Sequence, residues 1–268
     1  SYVVPRGDDP EFVDELLGVV RKEDVDALLL SPESEALAVS QERERFEAEG
    51  CLPLVPPYNT VQRCADKLQA HDYITELDIP SPDIYTTPDD AKFPCVVKPR
   101  HGRGSAGVRI AQDQEELAVY ASNIENPILQ EYVSGTEYTV DVLTDRDGTV
   151  LSAVPRERIG IESGKSVIGK TVADQKLRKF SRQIASDWEL FGPSCIQFIR
   201  DEEPQFLEVN TRFGGGAVLS MKADSQLVPN LLKIIKNDST EPSGTYDTSL
   251  VMLRNYEQLF VDQSTHHE

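Results

Sequence analysis

The sequence predicts a mixed α/β and α+β fold, and three observations carry that prediction. Helix and short apolar strand alternate through the first 60 residues. Residues 93–110 read as a strand, a glycine-rich turn and a second strand. Two further hairpin signals follow, one across Asp145 to Gly148 and one between residues 199 and 205. Alternation of helix and strand indicates a parallel α/β unit, and hairpins indicate antiparallel sheet.

The elements follow in order. Phe12, Val13, Leu16, Leu17 and Val20 make a helical apolar stripe within Pro10 to Lys22. Asp26 to Ser31 is a short buried strand, Glu33 to Gly50 a second helix closed by glycine, and Cys51 to Val55 another strand. This βα pattern begins in mid-stride, so the earlier strands of a parallel sheet are expected before residue 1. A helix from Thr60 to Leu77, with Asp66 and Lys67 inside it, ends at Pro80 and Pro82. Strands are expected at Phe93 to Lys98, Val108 to Ile110, Ile128 to Tyr132, Glu137 to Leu143 and Leu151 to Pro155, with a helix at Gln114 to Ser122. Residues 157–170 are polar and glycine-bearing and read as a mobile loop. A long helix spans Val172 to Phe191, a last hairpin joins Ser194 to Ile199 with Gln205 to Val209, and a helix covers Val228 to Lys236 ahead of an apolar segment around Met252 to Val261.

The formal net charge is −19, which repels nucleic-acid phosphates and argues against general nucleic-acid binding. Residues 1–50 hold 14 acidic and 5 basic side chains. Residues 92–112 reverse the sign, with Lys92, Lys98, Arg100, Arg103 and Arg109 and no acid. A basic island in an acidic protein is a candidate anion site. No apolar run is long enough for a membrane span, and no signal-peptide pattern opens the sequence. Cys51, Cys64, Cys95 and Cys195 form no CxxC and are expected as buried reduced thiols, which suits the cytoplasm.

Three blocks carry candidate chemistry. In the first, a strand delivers Lys98 into a turn with Gly102, Gly104, Ser105 and Gly107. Glycines let backbone N–H groups approach phosphate, and a lysine adds a point charge. The block is neither a Walker A loop nor a Rossmann turn, since no helix opens after it; alone, it also reads as a hairpin tip with solvated charges. The second runs from Glu131, Tyr132 and Val133 through Gly135 to Glu137. A carboxylate matches a ribose diol, and an acceptor with a backbone donor matches adenine; alone, the two glutamates read as ordinary exposed strand-end charges. The third has Gln197 on one strand and Glu208, Asn210 and Arg212 alternating on the next, before Gly214 to Gly216. Alternation puts these three on one face, where oxygen donors suit magnesium. The competing reading is the polar outer face of a hairpin.

Taken in order, with Asp66–Lys67 ahead of them, these blocks resemble the ATP-grasp superfamily, in its carbamoyl-phosphate-synthase-like and biotin-carboxylase-like branch. The resemblance spans about residues 8–260. It implies an ATP-grasp fold, two α+β subdomains clasping ATP, over residues 61–268, with a lid subdomain at about 83–130. Residues 1–60 would be part of the α/β domain that precedes it. The resemblance further implies that Lys67 and Lys98 contact phosphates, that the Gly102 to Gly107 loop, with Gly104 and Ser105, closes over them, that Glu131, Tyr132 and Val133 hold adenine, and that Glu137 holds the ribose. Gln197, Glu208 and Asn210 would bind magnesium, for which manganese can substitute. Arg212 would orient a carboxylate and steady the transferred phosphoryl group, acting with Lys98. The implied activity is ADP-forming ligation of a small-molecule carboxylate to an amine or thiol; the alternative is a non-catalytic or regulatory MgATP-binding module. A homodimer is compatible with either. Gln197 stands where many relatives have a carboxylate, Thr211 stands where proline is common, and no biotin-pocket signature is present. Arg156 and Arg158 read either as phosphate or substrate contacts or as solvated hairpin-end charges.

Overall fold

The computed structural model describes residues 1–102, 106–162, 164–255, 257, 258 and 260. The chain opens with helix α1 (Phe12–Glu23), strand β1 (Ala27–Leu28), helices α2 (Glu33–Gln41) and α3 (Arg43–Ala48), and strand β2 (Leu52–Pro53). In α1, Asp14 and Glu15 sit in the first turn and Arg21 and Lys22 in the last, matching the helix dipole. Its apolar stripe buries Phe12, Leu17 and Val20 against Val39, Phe46 and Cys51. The helix expected over 33–50 is broken at Glu42, and β1 and β2 form a parallel pair of two residues each, shorter than expected.

Helices α4 (Tyr58–Ala65) and α5 (Lys67–Glu76) replace the single helix expected over 60–77. Asp66 is the break. Its backbone is extended, and its carboxylate caps α5 by accepting from the N–H groups of Leu68 and Gln69. Strand β3 (Ile84–Tyr85), which the sequence reading missed, precedes β4 (Cys95–Pro99), β5 (Arg109–Ala111), helix α6 (Gln114–Ser122) and β6 (Pro127–Glu131). Among the described residues these strands form an antiparallel sheet in the order β3-β6-β4-β5, with α6 packed on it through Leu117.

The second half forms a larger antiparallel sheet. Its strands are β7 (Thr136–Thr144), β8 (Val150–Glu162), β9 (Lys165–Thr171), β10 (Gly192–Arg200), β11 (Pro204–Asn210) and β12 (Val251–Leu253), in the order β11-β10-β7-β8-β9-β12. Helix α7 (Gln175–Asp187) lies between β9 and β10 in the chain; α8 (Ala217–Ala223) and α9 (Leu227–Lys236) follow β11. The loop expected over 157–170 is instead strand at 157–162 and 165–170. These residues complete β8 and make up most of β9, and the polar, glycine-bearing composition that suggested a loop is that of a hairpin facing a cleft. Helices α5 and α7 cover the other face, where Ile74, Ile184, Trp188, Phe198 and Phe206 form the core. Trp188 and Phe206 meet edge to face with centroids 5.9 Å apart. Among the described residues no helix is long and apolar enough to cross a membrane, and all four cysteines are buried and free.

Asp66 ties the start of α5 to the end of β4. Besides capping α5 it accepts from Arg100 Nε at 2.8 Å and Nη2 at 2.6 Å. Burial alone would raise its pKa, but the Arg100 pair and the Gln69 and Leu68 N–H groups hold it at about 2. A carboxylate held below its ordinary value stabilises the fold fully above about pH 4, and that contribution disappears as the pH falls toward 2. Asp66→Asn should therefore cost about 2 kcal/mol at neutral pH and flatten the acid limb of stability between about pH 4 and 2. Urea unfolding across that range measures both.

Candidate functional site

The two antiparallel sheets face each other across a cleft of about 840 Å³. One wall comes from β4 and β6. Cys95 and Val97 point into the core of the small sheet, so the alternate residues Val96 and Lys98 face the cleft. Lys98 is buried, and its Nζ donates to Gln130 Oε1 at 2.7 Å. Burial pulls its pKa down to about 8, opposed by Glu208 across the cleft and assisted by Lys67. Lys67 is set by the start of α5. Its backbone N–H donates to Arg100 O at 3.2 Å and its Nζ to Gly102 O at 2.7 Å. The Asp66–Arg100 pair thus places Lys67 beside the glycine turn. Gly102 lines the cleft; Gly107 does not, but its φ of +77° turns the chain there, and a Cβ on it would meet Pro99 Cγ at 2.9 Å. Gly104 and Ser105 lie outside the described residues.

Glu131, Tyr132 and Val133 line the junction between the sheets. The backbone N–H of Asp83 donates to Glu131 Oε2 at 3.3 Å. Gly135 is dictated by close approach: a Cβ there would lie 2.3 Å from Arg200 O. That turn swings the chain onto β7, where Glu137 meets Arg158 Nη1 at 2.7 Å.

The opposite wall is the β10–β11 hairpin. Gln197 and Glu208 are register partners. Glu208 Oε1 accepts from Gln197 Nε2 at 2.6 Å and from Asn210 Nδ2 at 2.9 Å. Gln197 Oε1 accepts from Arg158 Nη1 at 2.8 Å. Two amide side chains thus donate to one carboxylate oxygen, and turning an amide end for end presents its oxygen instead. Among the described residues no group of three or more His, Cys, Asp or Glu could hold a metal. A magnesium ion needs less from protein when phosphate oxygens complete its octahedron, so one carboxylate with amide oxygens fits it. Gln197 is the weakest member, because Arg158 already engages its oxygen.

Arg156 and Arg158 are not solvated charges. Arg156 is 2% exposed, and its Nε and Nη2 donate to Asp141 at 2.6 and 3.2 Å. Asp141 also accepts from Ser220 Oγ at 2.5 Å. A Cβ on Gly216 would lie 2.5 Å from Arg156 Nη1, so the glycine run leaves room for this guanidinium. Arg212 lines the cleft, its Nη1 donating to Phe213 O at 3.1 Å.

The structure therefore brings Lys67, Lys98, Gly102, Glu131, Tyr132, Val133, Glu137, Gln197, Glu208, Asn210 and Arg212 to one cleft. Sequence reasoning missed Gln130 and Arg254. A polar residue in the apolar run Pro127 to Leu129 was a signal for the first; nothing local marks the second.

Two facing sheets, with a lysine and glycine turn on one wall and carboxylate, amide and arginine on the other, define a two-sheet clasp. The chain belongs to the ATP-grasp family: the model of the ATP-grasp domain matches residues 64–216. ATP-grasp enzymes use ATP with magnesium. Among curated relatives, the arginine-specific carbamoyl phosphate synthase large chains of Halalkalibacterium halodurans and Bacillus subtilis are each 26% identical, over 81% and 80% of this chain. The chain spans only 23% and 24% of their lengths. Among solved structures, the biotin carboxylase domain of Hydrogenobacter thermophilus 2-oxoglutarate carboxylase, in complex with MgADP, ADP and bicarbonate, aligns with TM-score 0.74 at 16% identity, over 93% of this chain and 62% of that one. The L-amino acid ligase of Bacillus licheniformis aligns with TM-score 0.67 at 19% identity, over 87% and 62%. These structural likenesses establish the fold.

Two outcomes follow from the site's geometry. In NMR of methyl-labelled lysines, one resonance should titrate near pH 8 and vanish in Lys98→Met, and Glu208→Gln should move that midpoint lower by removing the opposing charge. Gly216→Ala should destabilise by about 1–3 kcal/mol through overpacking against Arg156. Gly18→Ala, on the exposed side of α1 with nothing within 4 Å, should instead stabilise by about 0.5–1 kcal/mol. Urea midpoints compare the two.

Proposed function

We propose that the protein is an ATP-dependent ligase that activates a carboxylate as an acyl phosphate for attack by an amine or another nucleophile. The observation that carries this reading is the Glu208, Asn210 and Arg212 edge lying across the cleft from Lys98. Lys67 and Lys98 meet phosphate oxygens, and binding an anion favours the charged form of Lys98 that burial disfavours. Glu131, Tyr132 and Val133 border the adenine, and Glu137 faces the ribose. Glu208 and Asn210 hold the metal, with Gln197 as a weaker third ligand. When bound, magnesium neutralises charge on the phosphates and holds them for in-line transfer. Arg212 aligns the substrate carboxylate. A carboxylate oxygen bonds to the γ-phosphorus, the bond from that phosphorus to the bridging oxygen breaks, and ADP leaves. The nucleophile then adds to the acyl carbon, loses its proton and expels phosphate. The residues contribute positioning and charge neutralisation, with no covalent bond to the protein.

The nearby Arg158 supports a division of labour. It binds Glu137 and Gln197 at once, so it couples the ribose edge to the metal edge. Substrate-dependent ADP release by the full-length protein, screened against carboxylates with and without amines, tests the reading. Glu208→Ala should lower that release by at least about a hundredfold, equivalent to about 3 kcal/mol or more of lost charge stabilisation. Unchanged release in the variant would overturn the assignment of Glu208. MgATP binding without ADP release for any carboxylate would make the chain a regulatory module.

A further inference from the structure

We propose that the carboxylate substrate carries a second acidic group and that Arg254 receives it. This rests on the ligase reading above, and it adds the substrate's class. Three guanidinium groups converge on the turn after β11. Arg212 Nη1 donates to Phe213 O at 3.1 Å, Arg254 Nη2 donates to Gly215 O at 2.6 Å, and Arg156 packs against Gly216. All three line the same cleft.

Their charges are not answered alike. Asp141 pairs with Arg156, and Glu137 pairs with Arg158. Among the described residues neither Arg212 nor Arg254 has a carboxylate partner, and both guanidinium groups donate to backbone carbonyls. Nucleotide phosphates have Lys67 and Lys98 on the far wall. A monoacid substrate would answer Arg212 and leave Arg254 without an anion. A substrate with two acid groups answers both, one at the reacting position and one anchored.

Arg254 is built for that anchor. Its backbone N–H donates to Val167 O at 2.8 Å, continuing the pairing of β12 with β9, so its position is set before substrate arrives. Its side chain is exposed, with one donor used, and the planar fork retains donors for a bidentate carboxylate. It also lies beyond the stretch 64–216 that matches the family model, where substrate choice can vary without disturbing the nucleotide site.

The test uses the full-length protein with MgATP and paired probes that differ by one charge: glutamate and glutamine, aspartate and asparagine, succinate and succinamate. ADP release should favour the diacid of at least one pair about tenfold to a hundredfold in kcat/KM, the range expected of a charge-assisted hydrogen-bonded pair. In Arg254→Met that ratio should collapse toward one, mainly through KM, and Arg254→Lys should fall between. Equal turnover within every pair, or a ratio unchanged in Arg254→Met, overturns the proposal and leaves the ligase reading standing. Thermal stabilisation with MgADP gives a second readout that needs no turnover. Stabilisation by diacids that is lost in Arg254→Met, without ADP release, supports the diacid site and removes the ligase reading. No stabilisation and no turnover by any diacid overturns the proposal, and no ADP release with any probe, monoacid or diacid, removes the ligase reading as well.

Discussion

The buried pair between Arg156 and Asp141 is the interaction on which the cleft depends. It joins β8 to β7, draws in Ser220 of α8, and fixes the guanidinium against which Gly214 and Gly216 pack. Two ions taken out of water gain little net stability, because desolvation offsets their attraction. What they supply here is position. Both N–H groups that Arg156 turns toward Asp141 are used, so the plane of the guanidinium is set, and the turn carrying Arg212 has to pass over it. Glycine is the residue that allows so close a passage.

A second buried carboxylate extends the same logic. Asp224 accepts from Ser152 Oγ at 2.6 Å and Ser243 Oγ at 2.9 Å, tying β8 and the segment before β12 to the end of α8. Ser243 N also donates to Leu151 O at 2.6 Å. The chain is thereby returned to the sheet, and β12 can add to β9 and bring Arg254 to the cleft. Polar groups buried in this way hold geometry because each unmade bond would cost its full desolvation.

The charge distribution works on a longer scale. The chain carries −19 overall, yet the cleft is lined by Lys67, Lys98, Arg156, Arg158, Arg212 and Arg254 against Glu131, Glu137 and Glu208. A concave basic lining between low-dielectric walls focuses its field toward anions, while the acidic exterior keeps other polyanions away. The lowered pKa of Lys98 is the cost of placing an ammonium on the inner wall, and Glu208 opposite reduces it.

Much of the site was legible in the sequence, because its parts are short-range patterns. Period-2 alternation placed Glu208 and Asn210 on one face, and a strand running into glycines placed Lys98 and Gly102 at a turn. Residues 157–170 were misread as a loop because strand polarity is ambiguous until one knows that the face looks into a cleft rather than into a core. The helix break at Asp66 was missed for a related reason: the partner that makes Asp66 a cap and an anchor, Arg100, lies 34 residues away. Pairings of that kind also decided the fates of Arg156, Arg158 and Arg254, whose partners come from β7, β10 and the glycine turn. The amino-acid sequence by itself determined the order of the blocks and the chemical types of the site's side chains, since these follow from local periodicity and residue chemistry, and it carried the fold family through the resemblance of those ordered blocks. Only the tertiary structure decided which arginine is neutralised and which is left facing the cleft, because charge compensation depends on distances between strands that no local pattern encodes.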